Sequence, residues 1–271
     1  MIAPVEIPKP FARWNRKWSA PNGRAIRWPA WLEDRLEDTP MAIRRKGPFA
    51  WQPHNNGTRA FEYPWAHHAV TSQGRGLNVV EIGGGLSGLQ FVLASEGHHV
   101  TNVDPGQVEQ SWTYDCSLHT RLCQAFRAPV TLIDDTIEAS NIPDASVDVL
   151  LCVSALEHFP DPDIAEFNKH AARILKPSGL AVLSVDLFLD VVPFCSSTSN
   201  RSGRNVNVHD MLRDASLQLV SGNPAELMGF PEFDHQAVLA KLSRYLRGIH
   251  PALAQCFTAK RAARPHASAD A

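Results

Sequence analysis

The chain has 271 residues, of which 44% are hydrophobic and 20% charged, with a formal net charge of -2. A chain of this size and composition buries a substantial core and fits one large α/β domain with extensions. No apolar run approaches the roughly 18 residues of a membrane span, and the start lacks the apolar core of a signal peptide. We therefore expect a cytoplasmic protein without a membrane partner. The five cysteines contain no C-x-x-C pair, so neither a disulfide framework nor a metal site is expected.

Residues 1–65 differ in composition from the rest of the chain. They contain 11 of the 26 Lys and Arg residues, 6 of the 28 Asp and Glu residues, nine of the 20 prolines and six of the seven tryptophans. Proline breaks regular elements and tryptophan offers large apolar anchors, so we interpret this segment as an ordered arm that covers the substrate site. The catalytic domain is expected at 66–255 and a disordered tail at 256–271. Packing onto the core, or lining of a substrate pocket, is the expected role of the tryptophans of the arm: Trp14, Trp18, Trp28, Trp31, Trp51 and Trp65.

From Leu77 onward, short apolar runs alternate with helical stretches, a pattern typical of a parallel sheet wrapped by crossover helices. The strands are predicted at 78–82, 98–103, 130–133, 147–153 and 180–186, and the helices near 86–96, 107–126 and 162–175. Asp161 is predicted to cap the third helix. A long surface loop is expected at 187–206, followed by a helix near 207–216, a strand near 217–220 and a helix near 235–247.

A glycine-rich loop, Gly83-Gly84-Gly85-Leu86-Ser87-Gly88, lies between the first predicted strand and the first predicted helix. It matches G-x-G-x-x-G, in which glycines permit a tight turn and let a ligand approach the backbone. The match alone is weak evidence, because NAD, FAD and S-adenosylmethionine sites all use such a loop.

Carboxylates at the ends of the first three strands distinguish these ligands. Glu81 precedes the loop, Asp104 ends the second strand, and Asp134-Asp135 follows the third, with no Arg or Lys between 76 and 120. A dinucleotide carries a negatively charged pyrophosphate, whereas S-adenosylmethionine carries a sulfonium and an ammonium that favour nearby carboxylates. The acidic edge therefore indicates a cationic ligand. Asp104 also suits the ribose hydroxyls of either ligand class.

Four segments between residues 76 and 186 resemble the motifs of one family in order and spacing. They are VVEIGGGLSG, VTNVDPG, DDTIEASNIPDASVDVLLCVSALEHF and AARILKPSGLAVLSVD. Their succession resembles the class I S-adenosylmethionine-dependent methyltransferases, and more closely the type 11, ubiquinone-methyltransferase-like group. The resemblance implies a Rossmann-like, doubly wound α/β fold. Its sheet would be seven-stranded and mostly parallel, of order 3-2-1-4-5-7-6, with the seventh strand antiparallel.

The resemblance also implies which residues hold the methyl donor. Glu81 would organise the glycine loop and the methionine end, Asp104 would hold the ribose, and Asp135, or else Asp134, would border the adenine. The run from Ser154 to Glu157 would lie under the methyl group. The residues expected to bind the donor are Glu81, Gly83, Gly84, Gly85, Asp104, Asp135, Thr136, Ile137 and Ser154.

Methyl transfer from a sulfonium is an in-line displacement that depends on alignment, and a hydroxyl acceptor gains roughly 100-fold or more from a base of near-neutral pKa. His158, after the fourth strand, is the first candidate for that base. His67 and His68, with Tyr63 nearby, are the second, and His209 is the third. We expect O-methylation of a small molecule, because the sequence contains no amine-specific or nucleic-acid motif. The sequence indicates no oligomeric state.

Three other functions are compatible with parts of the sequence. An NAD-linked oxidoreductase would use the same loop, but the acidic edge and the LEHF and LKPSGL segments argue against it. A nucleic-acid methyltransferase is suggested by the basic, tryptophan-rich RWNRKWSAPNGRAIRW, since single strands bind to cations and stacking surfaces. Against this, the Asn/Asp-Pro-Pro-Tyr/Phe motif of enzymes that act on base amino groups is replaced here by VSALEH. A donor-binding scaffold without turnover is the non-enzymatic alternative.

Overall fold

We describe the fold from a computed structural model, which defines residues 1–27, 29, 39–52, 56–106, 116–248 and 251–262. Its central element is a seven-stranded sheet of order β3-β2-β1-β4-β5-β7-β6. The strands are β1 Asn78–Ile82, β2 His99–Val103, β3 Val130–Ile133, β4 Val147–Val153, β5 Leu175–Phe188, β6 Leu217–Ser221 and β7 Ala252–Arg261. The first five strands are parallel, and β7 is antiparallel to both β5 and β6. The predicted fold class and strand order are confirmed.

Eight α-helices are present in the described part of the chain, and short 3-10 helices lie between some of them. The α-helices are α1 Lys9–Trp18, α2 Pro40–Lys46, α3 Arg59–Thr71, α4 Gly88–Ser95, α5 Cys116–Phe126, α6 Asp161–Ile174, α7 Val208–Asp214 and α8 His235–Ala240. No helix of the described ranges combines the length and hydropathy needed to cross a bilayer.

Apolar side chains alternate across the strands and produce a core on each face of the sheet. On one face, residues such as Leu150 and Leu183 pack with Phe167 of α6 and Met211 of α7. On the other face, residues that include Val149 and Val182 pack with α2, α3, α4 and α5. This period of two follows from the pleat, which turns successive side chains to opposite faces.

The arm packs on the second of these faces. Trp14, Trp18, Trp51 and Trp65 are partly buried against that core, as expected for anchors. Trp28 and Trp31 lie outside the described residues. The backbone N–H of Ala3 also donates to the Ala254 carbonyl at 2.8 Å, so the first residues of the arm join the edge of β7.

Several predicted boundaries need correction. The predicted tail at 256–271 is wrong for 256–261, because these residues belong to β7 and are largely buried between β5 and β6. The predicted arm boundary at residue 65 falls inside α3. Asp161 does not cap α6: it occupies the first turn, after Pro160, and pairs with Arg204. The helix predicted at 235–247 ends at Ala240, and β5 extends beyond both ends of the predicted 180–186.

Candidate active site at the carboxyl edge of the sheet

The glycine loop connects β1 to α4 at the carboxyl edge of the parallel strands. Gly83 has a φ of 68°, which L side chains rarely adopt. A Cβ at Gly83 would lie 2.6 Å from the Cβ of Ala155, in the segment that follows β4. Glycine is therefore needed here for two reasons, and the loop is in direct contact with the region beyond β4.

Glu81 is a buried carboxyl group beneath this loop. Its Oε1 accepts a hydrogen bond from the Ser87 hydroxyl at 3.1 Å, while Oε2 has no partner among the described residues. Burial, with a contribution from the charge of Asp104, raises the pKa of Glu81 to about 8. A Cβ at Gly84 would lie only 2.7 Å from the Glu81 Cδ atom, so the loop backbone packs directly on this carboxyl. A buried acceptor left unsatisfied is costly, and it marks a place where a donor group of a ligand would bind.

Asp104 follows β2 and helps to fix the same loop. Its two oxygens accept hydrogen bonds from the backbone N–H groups of Gly85 at 2.6 Å and Gly106 at 2.9 Å. A carboxylate has about four acceptor sites, more than the two that these N–H groups occupy. Burial raises its pKa. Asn102 of β2 completes the loop support, with its side chain bonded to the Gly84 N–H and the Gly85 carbonyl.

The segment after β3 approaches this edge next to Asp104, whose N–H donates to the Ile133 carbonyl at 3.0 Å. Asp134 is close enough that its charge contributes to the raised pKa of Asp104. Asp135 is exposed and accepts a hydrogen bond from the N–H of Thr136, whereas Ile137 is buried in the core beside it. Asp134, the alternative left open by the sequence, is thus the carboxylate of this pair that interacts with Asp104.

The arm contributes residues to the loop that the sequence analysis missed. The side-chain oxygen of Gln52 accepts a hydrogen bond from the Leu86 N–H at 2.7 Å. The ring of the fully buried Phe49 packs directly on Gly88, where an added Cβ would lie 2.5 Å from the ring atom Cδ1. The arm therefore forms part of the wall of the site.

A buried polar cluster joins α3 to the ends of β4 and β5. The Arg59 guanidinium donates to Glu62 Oε2 and to the Ser154 hydroxyl, both at 2.6 Å. Glu62 Oε1 accepts from the hydroxyls of Ser154 at 2.7 Å and Ser184 at 2.6 Å. Ser154 Oγ also lies 3.3 Å from Oδ1 of Asp186. The predicted donor-binding residue Ser154 is thus at the centre of a network that includes both sheet and arm.

Glu157 and His158 form the 3-10 helix after β4, next to this cluster. Glu157 is 1% exposed, and neither of its carboxyl oxygens has a hydrogen-bond partner among the described side chains. Burial raises its pKa to about 7. The Nδ1 atom of His158 is bonded to the Ser202 carbonyl, which places the ring proton on Nδ1 and the lone pair on Nε2. Desolvation by the surrounding protein lowers the pKa of His158, so its ring is neutral at pH 7.

The loop predicted at 187–206 covers this 3-10 helix. The Arg204 N–H donates to the Glu157 carbonyl at 3.1 Å, and a Cβ at Gly203 would lie 2.2 Å from that same oxygen. The side chain of Asn205 binds the Phe188 backbone at 2.6 and 2.9 Å and so fixes the base of the loop. The loop is therefore held closely over the candidate base.

His67 and His68 lie elsewhere. His67 Nε2 is 2.6 Å from Oε2 of Glu96, which follows the last residue of α4. Since α4 starts at the glycine loop and has 8 residues, it carries Glu96 about 12 Å away from that loop. His68 is exposed and lies 6.3 Å from the Phe11 ring. The structure thus separates both histidines from the carboxyl edge, and we assign them no role in the reaction.

The other two candidates differ in their surroundings. Tyr63 is buried beside Arg59, to which its hydroxyl is hydrogen-bonded, and burial raises its pKa. His209 is exposed near the start of α7, where it packs against the Phe230 ring at 5.0 Å between centroids. Tyr63 therefore belongs to the polar cluster, and His209 has an ordinary surface environment.

The described residues fit a donor with a sulfonium and an ammonium group. The site provides a loop that approaches a ligand through its backbone, a buried carboxyl oxygen of Glu81 without a partner, and further carboxyl groups at Asp104, Glu157 and Asp186. Buried carboxylates attract cations and repel a pyrophosphate. The arrangement therefore suits S-adenosylmethionine better than a dinucleotide.

Sequence comparison supports the same family. Residues 80–183 match the family model described as a methyltransferase domain, type 11. A ubiquinone biosynthesis O-methyltransferase from Proteus mirabilis is 34% identical over 38% of this chain and 40% of its own length. A 2-methyl-6-phytyl-1,4-hydroquinone methyltransferase from Synechocystis is 32% identical over 40% of this chain and 32% of its own length. The chain thus matches less than half the length of these curated relatives.

Solved structures share the fold. A 1,6-didemethyltoxoflavin-N1-methyltransferase from Burkholderia thailandensis, with its substrate and S-adenosylhomocysteine bound, has a TM-score of 0.52 at 17% identity and covers 97% of this chain and 95% of its own. An S-adenosylmethionine-dependent methyltransferase from Mesorhizobium loti has a TM-score of 0.51 at 14% identity, over 73% of this chain and 98% of its own. Residues 80–183 thus match a methyltransferase domain, and the solved methyltransferase structures share the fold of this chain.

Proposed function

We propose that this chain binds S-adenosylmethionine at the carboxyl edge of its sheet and directs the methyl group to a hydroxyl of a small-molecule acceptor. The observation that carries the proposal is the concentration of buried carboxyl groups around the glycine loop, with Glu81 Oε2 lacking a partner among the described residues. The relative from Proteus mirabilis is named as an O-methyltransferase of ubiquinone biosynthesis, which supports a hydroxyl acceptor, in particular a phenol.

In this proposal, each part of the edge holds one part of the donor. Glu81 and the backbone of Gly83, Gly84 and Gly85 hold the methionine end, Asp104 binds the ribose, and the segment from Asp134 to Ile137 borders the adenine. When bound, the donor supplies an electrophilic methyl group on a positively charged sulfur. The remaining task of the protein is to align the acceptor, to exclude water and to take up a proton.

His158 is the first base that the sequence suggested, and it is one of two candidates for that role, the other being the buried acids beside it. Its Nδ1–H is held by the Ser202 carbonyl, which leaves Nε2 as the basic atom, and its ring is neutral at pH 7. The loop over residues 200–205 fixes the ring orientation, as a base requires. Glu157 Oε1 lies 3.9 Å from Nε2 and would stabilise the charged ring that forms on proton uptake.

Calorimetric titration with S-adenosylmethionine, S-adenosylhomocysteine and NAD⁺ tests the donor. We expect both sulfur compounds to bind and NAD⁺ not to bind. Glu81→Gln should weaken S-adenosylhomocysteine binding by about 10-fold or more, since one charge-assisted contact to a buried group is worth about 1.5–3 kcal/mol. Glu166→Gln removes a partly exposed carboxylate on α6; it is the matched control and should bind like the wild type. Binding of NAD⁺ without binding of either sulfur compound would reject the proposal.

The acceptor class is tested by incubating the chain with labelled donor and a panel of simple probes. Catechol and hydroquinone represent phenols, an alkylamine represents amines, and a single-stranded oligonucleotide represents nucleic acids. We expect label in the phenols alone, detected by mass spectrometry of the products. Label in the oligonucleotide, with binding that weakens as salt rises, would favour the nucleic-acid alternative instead.

A further inference from the structure

The polar cluster at the ends of β4 and β5 contains more carboxyl groups than positive charges. Glu62 of α3, Glu157 of the 3-10 helix and Asp186 of β5 are all buried around the single guanidinium of Arg59. The other titratable groups that face them are His158, Tyr63, Cys152 of β4 and Cys256 of β7. In the described part of the chain, these groups provide one fixed positive charge for three acids.

Glu62 is the acid that Arg59 neutralises. Burial alone would raise its pKa, but the guanidinium at 2.6 Å and the hydroxyls of Ser184 and Ser154 hold it below its ordinary value. Arg59 and Glu62 therefore form an ion pair at neutral pH. No second fixed positive charge in the described residues is available to neutralise Glu157 and Asp186. We therefore expect this pair of buried acids to hold a proton.

The hydrogen bonds of Ser154 indicate where such a proton lies. A hydroxyl has one proton, and at Ser154 the nearest acceptor is the ionised Glu62 oxygen at 2.7 Å. The further contact, 3.3 Å between Ser154 Oγ and Asp186 Oδ1, forms alongside that bond when the carboxyl of Asp186 donates to the Ser154 oxygen. Burial and the charge of Glu157 raise the pKa of Asp186 to about 8, in agreement with a proton held there.

The donor loop is adjacent to this pair of acids. Gly83 packs against Ala155, which follows Ser154 directly, and the charges of both Arg59 and Glu81 act on the buried Tyr63. Strand order brings β1, β4 and β5 side by side, so their carboxyl ends form one continuous edge. A positive charge bound at the loop therefore acts on Glu157 and Asp186 through buried, weakly screened surroundings.

We propose that Asp186, paired with Glu157, accepts the proton of the acceptor hydroxyl, and that binding of the cationic donor prepares it by expelling the proton that the pair holds. This inference rests on the proposed function. In the reaction, the acceptor O–H bond breaks and its proton passes to a carboxyl oxygen of Asp186. The acceptor oxygen forms the new bond to the methyl carbon, and the electron pair of the former C–S bond stays on sulfur. One positive and one negative charge thereby become two neutral groups.

This proposal distinguishes S-adenosylmethionine from S-adenosylhomocysteine. The two compounds share every contact except those of the methyl group, but only the former carries the sulfonium charge. A nearby cation favours the ionised form of a carboxyl, whereas a neutral sulfur does not. Binding of S-adenosylmethionine should therefore release more protons than binding of S-adenosylhomocysteine.

The test is titration calorimetry of the full chain with each compound at pH 7.5, in buffers of different ionisation enthalpy, from which the number of protons exchanged follows. We expect S-adenosylmethionine to release about half a proton or more beyond S-adenosylhomocysteine, as linkage between binding and protonation requires. Asp186→Asn should abolish this difference in proton release between the two compounds. Glu157→Gln should reduce the difference, and Glu166→Gln on α6 should leave it unchanged.

Equal proton numbers for the two compounds on the wild-type chain would overturn the proposal, with no variant needed. A difference that persists in both Asp186→Asn and Glu157→Gln would overturn it as well. Circular dichroism of each variant shows whether it is folded, and the wild-type comparison stands if one of them is not. If neither compound binds the wild type, the proposed function fails together with this inference. Binding of both compounds with equal proton release rejects only the inference.

Discussion

The two halves of α3 have opposite environments, although they belong to one helix of 13 residues. In the first half, Arg59, Glu62 and Tyr63 point into the carboxyl edge of the sheet and are buried in a hydrogen-bonded network. In the second half, His67 pairs with Glu96 and His68 is exposed. The first half, whose side chains have unperturbed pKa values far from 7, lies at the site. The second half, which contains the two histidines, lies outside it.

This difference shows that burial, rather than residue type, determines which groups titrate near neutrality. Histidine has an unperturbed pKa near 6.5 and was therefore the obvious candidate. At the carboxyl edge, however, burial brings the pKa values of Glu81, Glu157 and Asp186 to between about 7 and about 8. Ordinary acids thus become candidates for proton transfer because their charges are poorly solvated.

The largest effect is expected from removing the positive charge of the first half. Arg59→Met leaves three carboxyl groups buried without a counter-charge, and loss of one partner of a buried pair costs about 3–5 kcal/mol. We expect the free energy of unfolding, measured by urea denaturation at pH 7, to fall by about 3 kcal/mol or more. Arg213→Met removes an exposed arginine that pairs with Asp210, and it should leave the free energy of unfolding close to that of the wild type. Similar losses for the two variants would contradict a buried network.

Two glycine substitutions separate the effect of a contact in the donor site from the effect of backbone strain. Gly83→Ala and Gly76→Ala both introduce a side chain at a left-handed φ, 68° and 62°, and each should lose about 1–2 kcal/mol of stability from that strain. Gly76 has nothing within 4 Å of the added Cβ, whereas Gly83 meets Ala155. We expect S-adenosylhomocysteine affinity to fall by about 10-fold or more in Gly83→Ala only. Equal affinity in the two variants would place the donor elsewhere.

The pH dependence of stability tests the burial of Glu81. Its pKa is raised from 4.5 to about 8, so the folded state binds a proton that the unfolded state releases. Its contribution to stability is therefore present below about pH 4.5 and is lost as the pH rises to about 8. Between pH 6 and pH 8 in urea denaturation without donor, the free energy of unfolding of Glu81→Gln should fall by about 2 kcal/mol less than that of the wild type. An unchanged pH dependence, with Glu166→Gln as reference, would mean that Glu81 is solvated and ionised.

The smallest effect is expected in the second half of α3. His67→Ala removes the hydrogen bond that, more than any other factor, holds the pKa of Glu96 below its ordinary value. Because both partners are partly exposed, the loss should stay below about 1 kcal/mol. Donor affinity and methyl transfer should be those of the wild type. A methyl-transfer rate reduced tenfold or more at unchanged stability would return His67 to the list of catalytic candidates.

Local patterns predicted the parallel sheet well, because alternating apolar strands and glycine or proline boundaries are properties of short segments. The strand at β7 was missed because its residues, LAQCFTA, pack between two neighbours that are distant in sequence. Glu81, Asp104 and the glycine loop were predictable, since each ends or follows a strand. Asp186 ends the predicted fifth strand in the same way, and that rule would have found it.

Other site residues had weaker signals. Arg59, Glu62 and Tyr63 share one helix face at spacings of three and four, but nothing local indicates that this face turns toward β4 and β5. Gln52 reaches Leu86 from a segment 34 residues earlier. The placement of His67 against Glu96 likewise depends on how α3 packs beside α4. Such contacts follow from tertiary packing, which the periodicity of a single segment does not encode.

The most direct test of the central claim is a crystal structure of the chain with S-adenosylhomocysteine bound. We predict the ligand at the carboxyl edge, with Glu81 and Asp104 in hydrogen-bonding contact with it. Asp186 and Glu157 should line the space beside its sulfur, and His67 and His68 should lie outside the site. A ligand bound remote from Glu81 and Asp104 would contradict the account.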